Sequence, residues 1–141
     1  MISRVLLLSL LAGTGCSAEH RAQRKENRAT QSLGSAADHY WGLVRWEEFS
    51  TASAYLEDRE AGATWFLEQM SSGTRYRSVE VVNVEITLAH EPDDLGRVRE
   101  GVVLTQVQFY TMPQQILQTE IRTQNWYRVG KDWFVEIEDA Y

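Results

Sequence analysis

Hydrophobic positions along the chain fall into three regimes. Val5 to Ala12 is an apolar run interrupted only by Ser9. From about residue 36 the spacing becomes helical: Ala37, Tyr40, Trp41 and Val44 recur at i, i+3, i+4 and i+7. Ser35-x-x-Asp38 in front of that stripe is a capping-box pattern, with Gly34 as the break. The stripe loses register at Arg45 to Glu48. A second stripe runs Phe49, Ala52, Leu56, and a third Ala63, Phe66, Leu67, Met70, with Gly73 as the stop. The pattern predicts two or three short helices between Ser35 and Ser72.

The third regime has period two. Val82, Val84, Ile86 and Leu88 alternate with polar residues, as do Val103, Thr105, Val107 and Phe109. Ile121, Thr123, Asn125, Tyr127 and Val129 form a third run, and Trp133, Val135 and Ile137 a fourth. These spacings predict strands that are apolar on one face. Gly130-Lys131 signals a tight hairpin, and Met112-Pro113 a turn or bulge. Ala89 to Gly101 is the longest expected loop. Helices followed by hairpin-linked strands give an α+β domain, the helices covering the apolar face of a mostly antiparallel sheet of four to six strands.

All five Trp, six Tyr and four Phe lie from Tyr40 onward, so the expected domain is 36–141. Residues 16–35 hold one large apolar side chain, Leu33. Such a segment cannot bury enough surface to offset its ordering entropy, which predicts a flexible tether. Ahead of it, residues 1–15 read as a signal peptide. The apolar run would reach roughly 12 Å as a helix, far short of the ~30 Å hydrocarbon layer. The only Cys, Cys16, follows Gly13-Thr14-Gly15. The segment resembles a bacterial lipoprotein signal, although Gly13 stands where a large apolar residue is usual. The resemblance implies lipidation of Cys16 and a place in the cell envelope, with Ser17 favouring the outer membrane, facing the periplasm. Without lipidation the same segment would direct secretion.

The helical segment "ADHYWGLVRWEEFSTASAYLEDREAGATWFLEQM", followed by strands ending "NWYRVGKDWFVE", resembles the NTF2-like superfamily, which includes SnoaL-like and ketosteroid-isomerase-like proteins. The resemblance implies a curved sheet wrapped around helices as a cone. That scaffold hosts enzymes, ligand binders and inert modules, so fold alone assigns no activity. Catalytic members place an acid–base pair in the cone. The residues expected to face inward are Thr105, Thr123, Asn125 and Tyr127 from the strands, with Tyr40, Tyr55 and His39 from the helices. Glu85, Glu120 and Glu136 alternate outward in this register. A slip of one residue would reverse that.

Charge and motifs narrow the field. From residue 36 onward nine Lys and Arg face eighteen Asp and Glu, a balance that repels nucleic acid. In the tether, Arg21, Arg24, Lys25 and Arg28 outnumber Glu19 and Glu26, enough for weak attraction to an anionic membrane. No phosphate-binding glycine loop, HExxH or CxxC occurs, and no cofactor is expected. His90 with Glu91, Asp93 and Asp94 reads as a solvated acidic turn before it reads as a cation site. Leu104, Tyr110, Ile116, Arg122 and Trp126 are expected to share the outer sheet face, where large apolar groups mixed with Gln and Arg predict a homodimer interface. The leading expectation is a non-catalytic envelope lipoprotein binding a partner protein or a small apolar ligand. The alternatives are an isomerase- or dehydratase-type pocket enzyme and a purely structural dimer.

Overall fold

A computed structural model describes the backbone of residues 15–141 and the side chains of residues 17–141; the expected signal segment and the Cys16 thiol lie outside these limits. Helix α1 spans Gly15–Arg45, α2 Phe49–Ala52 and α3 Arg59–Ser71, with a 3-10 turn at Ser53–Tyr55. Strands β1 (Thr74–Ile86), β2 (Arg97–Thr111), β3 (Gln118–Val129) and β4 (Asp132–Val135) follow. They form one antiparallel sheet in the order β1-β2-β3-β4, so the α+β class holds. No described helix is long and apolar enough to cross a membrane.

The expected tether is helical. Ala, Glu, Arg, Gln and Lys are strong helix formers, so the segment extends a helix nucleated where α1 docks. Gly34 and Ser35 lie inside α1 rather than at its start. Ala29 and Leu33 are buried, and Glu26 reaches Arg99 of β2 at 3.2 Å. Gly101 permits this approach: a Cβ there would stand 2.4 Å from Leu33 Cδ2 and 2.9 Å from the Glu85 carbonyl. Residues 17–25 project as an exposed helical stalk.

Helix α3 is capped by Asp58, whose carboxylate accepts from the backbone N–H groups of Glu60 and Ala61 at 2.8 and 3.1 Å. It buries Gly62 and Trp65, whereas Leu67 and Met70 of the expected stripe are exposed. Gly73, at φ 70°, breaks the chain into β1. β1 begins well before the expected strand. Its register against β2 shifts between Tyr76 and Ser78 and again between Val81 and Asn83. Each bulge resets the alternation. The side chains that reach the core are therefore Tyr76, Val79, Val81, Val84 and Ile86, while Val82 and Leu88 are exposed.

β2 buries Val103, Thr105, Val107 and Phe109, as expected. β3 is one residue out of the expected phase. Gly101 pairs with Trp126, Val103 with Gln124 and Thr105 with Arg122, and directly opposed residues share a face. Arg122, Gln124 and Trp126 therefore point inward with the buried face of β2. Thr123, Asn125 and Tyr127 point outward. On β4, Trp133 and Val135 close the inner layer.

Candidate functional site

The inner face of the sheet is where the sequence places a pocket, and aromatic rings fill it. Tyr40 of α1 lies edge-on to Trp41, Tyr55 and Trp126 at centroid distances of 5.5, 5.8 and 5.7 Å. Phe49 meets Trp65 at 6.0 Å, and Trp41 meets Tyr76 at 5.6 Å. Such edge-to-face contacts add to area burial and leave little slack between layers.

Gln124, Trp41, Trp126, Trp65 and Tyr40 bond to one another or to backbone carbonyls, whereas the buried Thr105 hydroxyl has no partner among the described residues. Gln124, 1% exposed, accepts from the indole N–H of Trp41 at 3.1 Å and of Trp126 at 3.4 Å, and donates to the Asp139 carbonyl at 3.0 Å. Trp65 Nε1 donates to the Ala140 carbonyl at 2.7 Å, and the Tyr40 hydroxyl donates to the same oxygen at 3.4 Å. Burial pushes the Tyr40 phenol well above its ordinary range, so it is a neutral, structural donor. Sequence reasoning missed Gln124 because a buried amide reads as a solvent-facing residue.

Of the seven residues expected to face inward, Tyr40, Tyr55 and Thr105 lie on the inner side, and His39 is exposed on α1. Tyr40 and Thr105 are fully buried. Tyr55 is half-buried, with its hydroxyl 2.7 Å from His39 Nδ1, a pair open to solvent. Thr123 and Asn125 are exposed on the opposite face, and Asn125 is tied to the Asp139 carboxylate at 2.9 Å. Tyr127 is buried on that outer face. Arg97 lies 3.8 Å above its ring, and its hydroxyl donates to Glu57 at 3.3 Å. Burial, with the nearby Glu57 charge, pushes this phenol up to about 12.

The shift in β3 also brings Glu120 round to the inner side, at the sheet's end. There Arg122 Nε donates to Glu120 at 2.6 Å while Nη1 donates to the Tyr76 hydroxyl at 2.8 Å. The guanidinium also sits 5.1 Å from the Phe109 ring centroid. The carboxylate is held by the arginine rather than directed at a cleft. Carboxylate and phenol here are two ends of one closed ion-pair network.

The expected interface set divides. Leu104 and Tyr110 are half-buried on the outer face, and Ile116 is 66% exposed in the β2–β3 turn. Arg122 and Trp126 face inward and leave the set. Ile121, 52% exposed, takes their place on the outer face.

Two of the clefts on the described surface lie near these residues. One, of about 550 Å³, lies between Ser53, Leu56, Gly62, Phe66 and Phe134. The other, of about 460 Å³, is floored by Val102 and walled by Glu85, Glu100, Asn125 and Glu136. Among the described residues no group of three His, Cys, Asp or Glu is arranged to hold a metal ion. His90 instead faces Glu100 at 3.4 Å, and a bond to the Glu91 carbonyl, with that carboxylate, raises its pKa. No family model, curated protein or solved structure matches the chain.

Proposed function

We propose that this chain is a non-catalytic binding module, held at a bacterial envelope membrane by lipid on Cys16, and that the outer face of its sheet engages a second copy. The aromatic packing against the inner sheet face carries this reading. It occupies the space an acid–base pocket or an apolar ligand would need, and it uses the polar groups there as structural bonds.

The outer face supports the choice of surface. Leu104, Tyr110 and Ile121 stand among Gln106, Gln108 and Thr123, an apolar and amide mixture suited to a non-obligate contact. The Glu85, Glu100 and Glu136 wall lies toward one end of that face. The helices-first order and the placing of α1 across the sheet favour a cone of the NTF2-like kind.

The test introduces Thr123→Cys into a Cys16→Ser background and oxidises it in intact cells, with Glu60→Cys as the helix-side control. Disulfide-linked dimers from position 123 alone support the reading. Equal or absent linkage at both positions removes the second copy as partner. A radiolabelled fatty acid should enter the native chain and not Cys16→Ser; no labelling of the native chain removes the anchor.

A further inference from the structure

Where α1 crosses the far ends of β2 and β3, basic side chains converge on a single acid, Glu26. A cleft of about 350 Å³ is lined by Lys25, Arg28 and Ser32 of α1, Arg99 of β2 and Arg128 of β3. Arg99 and Arg128 are direct cross-strand partners. This pairing continues the register of Gly101 with Trp126 and Glu100 with Tyr127, which keeps Arg99 and Arg128 on the inner face, while the bulge between Arg97 and Arg99 turns Arg97 to the outer one.

Arg99 is 4% exposed. Its Nη2 donates to Glu26 at 3.2 Å, while its Nε and Nη1 have no partner among the described residues. Arg128 Nε is likewise buried and unpartnered, with the guanidinium 5.7 Å from the Trp133 ring centroid. Four cations thus face one carboxylate. Burial, and then the Arg99 charge, lowers the pKa of Arg128.

Like charges directly opposed across a sheet are destabilising, and buried donors left unmade cost more than any net bond returns. A structural role alone would be served better by apolar residues at these positions. An anion in the cleft would answer both costs, because a planar guanidinium fork matches the oxygens of a phosphate.

We infer that this cleft is a binding site for a phosphate group, with Arg99 and Arg128 as donors and Lys25 and Arg28 as flanking charges. Two sources share that chemistry, a soluble phosphate compound and a phospholipid headgroup. Lys25 stands roughly 14 Å along α1 from Cys16 at ~1.5 Å per residue, within reach of a bilayer surface. The site itself does not depend on the anchor.

The test uses the full chain in uncharged detergent micelles, with unfolding followed by Trp fluorescence. Sodium phosphate is titrated at constant ionic strength against chloride, and separately the micelles are doped with phosphatidylglycerol. A saturable rise in Tm of roughly 5–10 °C in either arm supports the site. A rise with phosphate alone assigns a soluble ligand, and a rise with the doped micelles that phosphate competes away assigns a headgroup. Arg128→Gln should weaken the response roughly tenfold or more. The same change should raise Tm in phosphate-free buffer by relieving the repulsion. Because Lys25 and Arg28 are exposed on α1, Lys25→Gln with Arg28→Gln keeps the fold and should also weaken the response. No rise in either arm, or an equal rise in native and doubly substituted protein, overturns the proposal.

Discussion

Leu33→Ala separates a docked α1 from a flexible tether. Leu33 is fully buried against the β1–β2 layer. Removing a buried leucine side chain costs about 2–5 kcal/mol, combining lost transfer energy with the cavity left behind. Gly101→Ala attacks the same contact from the other side. Its Cβ would stand 2.4 Å from Leu33 Cδ2, which can rotate away, and 2.9 Å from the Glu85 carbonyl, which cannot move cheaply. Overpacking of this kind costs about 1–3 kcal/mol. The double variant should be less destabilised than the sum, by about 1 kcal/mol, because truncating Leu33 vacates the space the new methyl enters. The carbonyl clash persists, so the compensation is partial. Urea unfolding of the full chain, read by Trp fluorescence, gives all four corners of the cycle. A Leu33→Ala effect under about 0.5 kcal/mol, the usual size of a surface change, would refute the docked helix and restore the tether.

Other outcomes are expected. Gln124→Leu should lose about 2–3 kcal/mol in urea unfolding, since it orphans the indole N–H groups of Trp41 and Trp126 and the Asp139 carbonyl. Asp58→Ala should cost about 1 kcal/mol through the lost cap on α3, measured the same way. Tyr127, held up to about 12, and Tyr40, held higher, keep protons that the unfolded chain releases near pH 10. Their contribution to stability is full below about pH 10 and falls as pH rises toward 12; absorbance at 295 nm should show Tyr127 ionising near pH 12 and Tyr40 only with unfolding. In a Cys16→Ser background, a thiol at Asn125→Cys should react with a maleimide far faster than one at Gln124→Cys, and equal rates would refute the β3 register.

Element order was legible from the sequence because period and punctuation agree: Gly73 and Gly130 sit at real breaks, each at positive φ. Helix α1 was misread from composition. Absence of apolar residues argues against burial, but it does not argue against a helix when the residues present are strong formers and one end is docked. The third stripe was misread because Leu67 and Met70 outweigh Gly62 in hydrophobicity. Gly62, however, is what lets α3 approach the Ser53 carbonyl, 3.2 Å from where a Cβ would stand. In β1 two bulges break the alternation that a period-two reading assumes.

The reading of β3 has the widest consequences. Large side chains occur at both parities, with Ile121, Tyr127 and Val129 on one and Trp126 on the other. The inward-facing neighbours of Trp126 on β3 are Gln124, buried, and Arg122, half-buried, which both look solvent-facing in the sequence. Pattern alone chose the wrong parity, because it scores each side chain against water and not against its neighbours. Gln124 can be buried since two indoles and a carbonyl satisfy it, and Arg122 can face inward, half-buried, since Glu120 and Tyr76 bond it. The same phase puts Arg128 beside Arg99, where Glu26 meets one Arg99 nitrogen and no acid among the described residues meets Arg128. One register therefore fills the inner face with self-satisfied groups at Gln124 and Arg122, and leaves unmet donors at Arg99 and Arg128. That contrast is why the site proposed for a ligand is the basic cleft under α1 and not the aromatic interior.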